Sequence, residues 1–369
     1  MARSGRAVAI VIGLLMAGCA TAPPAGQQEA RLAVFYPPLP NPPRIQYLAS
    51  FSSPKDLQPK KSASRFADFV VGKTPEDDTV IKKPYGAALF DGKLYVVDTR
   101  GPGYAIFDLQ KQSFKFVTGT GPGKMRKPIN LTVDQDGTKY VTDTSKDQIL
   151  AFDRHDQFIR AYGKNEQFKP GDVEVVGERL YVSDLKHHNV QVLDKQSGKL
   201  LFAFGDDGTL GWPTNMTVAP DGYLYVADAG RSFIQQFTLD GTTGRQFGAL
   251  GTRLGQFARP RGVALDRQGR LYVVDAAFEN IQIFNPDGRL LLFFGEPGNA
   301  PENLNLPAAV VIDYDAVPFF QTYADPNFEL EYVIIVVNQF GRSKVSVFGF
   351  GQFKGMDYSA HAQPATTSP

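Results

Sequence analysis

The sequence predicts an all-β fold made of one four-stranded unit written six times, and three observations carry the prediction. The first is an internal repeat. Segments beginning at Lys83, Lys127, Lys169, Trp212 and Arg259 align with one another, and a diverged sixth begins at Leu306. A Tyr-Val-x-Asp signature puts Asp98, Asp143, Asp184, Asp228, Asp275 and, in the sixth, Asn338 at equivalent places about 40 to 47 residues apart, the last interval being longer. The second observation is local pattern. In the fifth unit the runs "RGVALD", "RLYVVDA", "IQIFN" and "RLLLFFG" are rich in β-branched and aromatic residues and are parted by the turn pairs Gln268-Gly269 and Asp287-Gly288. No 3.6-residue apolar stripe runs through these units; only "ASRFADFVVG", with Phe66, Phe69 and Val70 on one face, suits a short helix. The third is "RIQYLASF", residues 44–51, a strand with no neighbour in sequence to pair with.

Four short strands at this period describe a propeller blade. Units one to five each end in a fourth strand, whereas the sixth stops after "KVSVFGF", so residues 44–51 are expected to complete the last blade and close a six-bladed β-propeller. An open seam would expose the apolar faces of two blades to water, at about 25 cal/mol per Å².

Around that ring the chain divides into residues 1–18, a lipoprotein-type signal; 19–43, a lipid anchor and proline-rich tether; 44–354, the propeller; and 355–369, a disordered tail. Arg3 and Arg6 precede the apolar run "AVAIVIGLLMAG", too short to span a bilayer and suited to a secretory signal. Cys19 is the only cysteine, so a disulfide within the chain is excluded. The prolines at 23, 24, 37, 38, 40, 42 and 43 make the second half of the tether an expected extended spacer. Arg44, at the start of the closing strand, is expected on the bottom of the disc, so that the tether leaves there and the bottom looks toward the membrane.

Two resemblances add to this. "LLMAGCA" resembles the bacterial lipoprotein signal, with Met16 where Leu is usual; the resemblance implies acylation of Cys19, a membrane-surface location and, because Ala20 rather than Asp follows, the outer membrane, its side undecided. The plainer alternative is a secreted protein with an incidental cysteine. The pattern Pro-x-Gly-Val-Ala-x-Asp, Gly-x-Leu-Tyr-Val-x-Asp, Ile-Gln-x-Phe, close from Pro260 to Phe284, resembles the NHL repeat and covers roughly residues 83–350. The whole-chain order resembles uncharacterised bacterial six-bladed propeller lipoproteins.

Within a blade, the loops entering strand one and joining strands two and three share a face, here the top. Counted from the Pro that opens each inner strand, Gly86, Asn130, Asp172, Asn215, Gly262 and Ala309 are expected to ring the axial channel, with Glu174 beside Asp172 on one strand face. Carboxylate and amide oxygens converging on an axis suit Ca²⁺. The fold resembles propeller gluconolactonases and paraoxonases, which implies a Ca²⁺ site at Asp172 and Glu174 with Asn130 and Asn215; the alternative is contact with channel water and neighbouring backbone. The repeated Asp reads as an acceptor for turn N–H groups rather than a catalytic acid, since every blade carries one.

Top loops carry Lys82, Lys83, Arg100, Arg126, Lys127, Lys169, Lys186, Arg231, Arg259 and Arg261, and the bottom gathers turn acids. Arg126, Lys127, Lys186, Arg259 and Arg261 are therefore the expected surface for an anionic partner. Insertions at 52–82 (top) and 313–331 (bottom) interrupt the repeat; in the second and at its end, Phe319, Phe320, Tyr323 and Phe328 suit either a cap on the blade or a partner contact.

Lys plus Arg total 39 against 38 for Asp plus Glu, which gives none of the basic excess of a nucleic-acid binder. No nucleophile elbow, phosphate-cradling loop or haem-attachment motif occurs, and none of the four histidines, His155, His187, His188 and His361, falls on an inner strand. The expectation is a monomeric, lipid-anchored module that binds an envelope protein or glycan polymer, with a Ca²⁺-dependent lactonase- or lyase-like hydrolase as the alternative.

Overall fold

In the computed structural model, residues 33–57, 81–164, 166–206 and 208–358 are described. The chain enters through β1 (Phe35–Tyr36) and β2 (Ile45–Phe51) and then builds blades in order. Blade one is β3 (Pro84–Phe90), β4 (Lys93–Asp98), β5 (Gly103–Asp108) and β6 (Ser113–Val117); blade two is β7 (Pro128–Val133), β8 (Lys139–Asp143), β9 (Gln148–Phe152) and β10 (Phe158–Tyr162). Blade three is β11 (Pro170–Val176), β12 (Arg179–Asp184), β13 (Asn189–Asp194) and β14 (Leu200–Phe204); blade four is β15 (Pro213–Val218), β16 (Leu224–Asp228), β17 (Phe233–Phe237) and β18 (Thr243–Phe247). Blade five is β19 (Pro260–Leu265), β20 (Leu271–Asp275), β21 (Asn280–Phe284) and β22 (Leu290–Phe294), and blade six opens with β23 (Pro307–Asp313), β24 (Phe328–Asn338) and β25 (Val345–Phe353).

The expected closure is present. β2 lies antiparallel to β25, with Ile45 opposite Phe350 and Phe51 opposite Val345. The inner strands pack in a ring, β3 on β7, then β11, β15, β19 and β23, and β23 returns to β3.

Each blade is an antiparallel sheet whose strands alternate between its two faces. Six apolar clusters, one per seam, fill the space between neighbouring blades. The seam between blades six and one holds Phe51, Phe107, Phe320, Phe328, Val337 and Val345. Tight turns set the registers. Asp91 and Gly92 have φ of 50° and 66°, the conformation that a two-residue hairpin needs and that Asp-Gly adopts at low cost.

Two expectations change at the ends of the chain. The segment expected to be an extended spacer is, from Ala33, part of the fold: β1 pairs with β2 as a fifth strand of blade six, and Phe35 is buried against Phe328 and Phe353. Proline density hid this, because a turn over residues 37–43 needs the same residues as a spacer. Tyr47 N–H donates to Val34 O (3.0 Å), so the chain enters at the flank of blade six, midway along β2, rather than from the bottom. At the other end the Tyr358 hydroxyl donates to Pro43 O (2.8 Å) and accepts from Phe353 N–H (2.8 Å), so the expected tail is folded as far as Tyr358. The signal, Cys19, the helix expected at 63–72 and the rest of the tail lie outside the described residues.

Candidate functional site: the top face and the axial mouth

The top loops hang on one buried side chain per blade. Asp98, Asp143, Asp184, Asp228, Asp275 and Asn338 are all fully buried at the ends of second strands. Asp98 accepts from the N–H groups of Lys82, Lys83, Arg100 and Gly101; Asp228 accepts from Gly211, Trp212, Gly230 and Arg231 in the same way. Each carboxylate thus ties the loop entering strand one to the loop joining strands two and three. The turn-acceptor reading of the repeat holds, and these acids are engaged with main chain.

The channel wall differs from the expectation by one residue. In every inner strand the register shifts just after the opening proline, for example between Pro84 and Ala87 and between Pro260 and Val263. The bulge turns Gly86, Asn130, Asp172, Gly262 and Ala309 toward the seams, while Asn215 keeps its Oδ1 at the axis. A Cβ on Gly86 would lie 2.7 Å from Asn130 Cα, and one on Gly262 2.7 Å from Ala309 Cα, each in the next blade. Asp172 Oδ2 accepts from Met216 N–H of the next blade (2.7 Å) and Oδ1 from Val173 N–H (2.8 Å); Asn130 Oδ1 accepts from Leu131 N–H (3.1 Å).

The preceding residue supplies the axial mouth. Tyr85 of blade one reaches across the ring, its hydroxyl 3.5 Å from Asn215 Oδ1 of the opposite blade four. Arg261 of blade five stands over the Tyr85 ring, 5.5 Å from guanidinium carbon to ring centre, with its Nη1 buried and without a hydrogen-bond partner. Burial pushes the Tyr85 hydroxyl up, opposed by Arg261. Sequence reading placed Arg261 on the open surface and did not select Tyr85, because strict alternation from the proline ignores the bulge. The only available signal was the repeated Pro-x-x pattern itself, since edge and bulge prolines commonly break register.

Two acids of β11, Asp172 in the seam and Glu174, are held toward their protonated forms. Burial pushes Asp172 up to about 7, while its main-chain donors pull the other way. Glu174 is half-buried by surface, since the channel reaches it, yet it lies deep in the ring; burial and the neighbouring Asp172 push it well above the usual carboxylate range, and a bond with Thr132 opposes them. These residues do not fit a Ca²⁺ cage. Three of the four expected donors are aimed at main chain or at Tyr85, and no group of three or more acids or histidines stands close enough to hold a metal among the described residues.

The remaining candidates separate clearly. Arg126, Lys127, Lys186 and Arg259 are exposed on the top, although Lys186 Nζ donates to Glu166 O. The residues before the six prolines, Lys83, Lys127, Lys169, Trp212, Arg259 and Leu306, occupy one equivalent place per blade. The carbonyl of each accepts from the loop after strand two, as from Thr144 to Lys127 O (3.1 Å) and from Ala276 to Arg259 O (3.0 Å). Lys127, Lys169 and Arg259 make no ion pair among the described residues. Trp212 is 45% and Phe340 47% exposed on the same face, beside His188 and Lys83 respectively. In the bottom insertion, Phe320 and Phe328 are fully buried and Phe319 and Tyr323 pack over them, so this segment caps the seam of blades six and one.

No family model matches the chain, and no curated protein does. Solved structures do. An auxiliary nutrient binding protein from Bacteroides thetaiotaomicron VPI-5482 is 14% identical, with 74% of this chain and 71% of that one covered and a TM-score of 0.56. A gluconolactonase from Xanthomonas campestris is 16% identical over 73% of this chain and 86% of that one, TM-score 0.55. A protein of unknown function from Bacteroides thetaiotaomicron VPI-5482 is 15% identical over 83% and 75%, TM-score 0.54. At such identities the likeness shows the fold: a six-bladed propeller, shared by a binding protein, an enzyme and a protein of unknown function.

Proposed function

We propose that this chain is a binding module of the cell envelope, held to the membrane through an acylated Cys19, that receives an anionic glycan polymer or an acidic envelope protein on the top of its propeller. The observation that carries the reading is the crown before the prolines: Lys127, Lys169 and Arg259 present unpaired charge around the axial mouth, and exposed Trp212 adds an aromatic platform. Sugar rings stack on such a platform while cations hold their acidic groups. The repeated acids are committed to loop N–H groups, which supports binding rather than turnover.

The test is retention on an immobilised anionic polysaccharide. The full chain should bind at low salt and elute as salt rises, and Lys127→Glu with Arg259→Glu should abolish retention at unchanged melting temperature. Retention that survives both reversals removes the crown from the mechanism. The hydrolase alternative would regain support if millimolar Ca²⁺ raised the melting temperature and Asp172→Ala cancelled the rise.

A further inference from the structure

We infer that the axial mouth is an oxoanion site in which Arg261 receives a carboxylate or phosphate group from the top. The starting point is an unbalanced charge. Arg261 is the only charged residue in its column; its equivalents are Tyr85, Ile129, Gly171, Thr214 and Ala308. No carboxylate lies within 4 Å of its guanidinium among the described residues, and Nη1 is buried without an acceptor. Arg261 as a whole is half-buried, but this one guanidinium nitrogen is shut off from water with no acceptor, and the planar fork matches two oxygens of one oxoanion.

The surroundings favour an incoming anion over an internal one. Asp172, the fully buried acid of the inner strands, gives both oxygens to main-chain N–H groups and faces the seam. Burial holds it and Glu174 toward their neutral forms, which lessens repulsion at the mouth. Tyr85 closes the far side and brings a hydroxyl next to Asn215, polar partners for an oxygen seated on Arg261. Outside stands the crown, with exposed Arg259 two positions before half-buried Arg261, so an approaching anion meets exposed cations first and Arg261 last. The site does not depend on the polymer reading: a free anion or the acidic end of a larger molecule presents the same group.

The experiment is calorimetry on the full chain at constant ionic strength, with sodium phosphate and sodium acetate titrated separately against a chloride background. Saturable binding of one anion per protein is expected for at least one probe, and the tighter probe assigns the group. Arg261→Gln should weaken it at least tenfold, while Lys354→Gln, an exposed position just past the bottom end of β25, should change it less than threefold. Should Arg261→Gln fold poorly, Arg261→Lys keeps the charge, loses the fork and should weaken the tighter probe at least threefold. Absence of saturable binding of both anions to the unaltered protein overturns the inference, as does an Arg261→Lys protein that binds as the unaltered one does. An unaltered protein that binds the small anion but is not retained on the polysaccharide would instead remove only the crown.

Discussion

On the bottom of the disc lysines and arginines find carboxylates; on the top the repeated acids are taken by main chain, and Lys127, Lys169 and Arg259 make no ion pair among the described residues. The bottom pairs include Lys195 with Asp134 and Glu178, Arg270 with Asp266, and Lys139 and Lys115 with Asp156, the last also accepting from the Tyr104 hydroxyl. The only top pair among the described residues is His187 with Asp184. Both faces have acids, so composition does not separate them. Geometry does: top acids stand at strand ends under two converging loops, where main-chain donors claim them, whereas bottom acids stand in hairpin turns beside the next blade's side chains. A blade can therefore leave cations unpaired on its top without any overall positive charge.

The contrast can be broken hardest at Asp156. Lys139 is 1% exposed, and Asp156→Asn would leave its ammonium buried beside a neutral group, at a cost of about 3 to 5 kcal/mol in urea unfolding. A loss below about 1 kcal/mol would show that bottom pairing is incidental.

Next comes Asp172, a top acid that sits in a seam. Its folded pKa, about 7, lies above the ordinary carboxylate value, so the folded state holds the proton more tightly and the group favours folding at low pH. Relative to Asp172→Asn, the unaltered protein should lose stability as pH rises from about 4 to about 7 and then level off, by on the order of 4 kcal/mol. Parallel pH curves for the two proteins would place Asp172 in contact with water.

A smaller effect, about 2 kcal/mol, is expected for Asp228→Ala, which strips the acceptor from four loop N–H groups. Amide exchange should quicken at Gly211, Trp212, Gly230 and Arg231 and stay unchanged in the bottom turns. Uniform quickening would mean that the blade, and not its top, had loosened. Smallest is Lys127→Glu, which should shift stability by no more than about 0.5 kcal/mol while weakening retention on the anionic polysaccharide.

How much of this was readable from residues follows from how local each cause is. Blade number, strand order and the turn-acceptor role of Asp98 and its equivalents were legible, because alternation, Asp-Gly turns and one acid per repeat are short-range signals. The pairing of Ile45 with Phe350 was legible only by elimination, as the strand that blade six lacked. Arg261 and Asp172 were exchanged in role, because a one-residue bulge after Pro260 and Pro170 reverses which side chain faces the axis and alternation carries no mark of it. Phe35 and Tyr36 were lost among prolines, since a two-residue strand has no period.

Joining the last blade with strands from both chain ends also sets the timetable of assembly. Ser52 Oγ accepts from Lys344 N–H across 292 positions of sequence, so a nascent chain carries an unfinished edge until Lys344 and β25 have emerged. Five blades can stack earlier, but the aromatic faces around Phe107 and Val337 wait for β25, and long-range pairing of this kind is slow. A chain of this design keeps an open apolar edge until β25 is made, and loss of β25 would leave a sticky, incomplete ring rather than a smaller propeller.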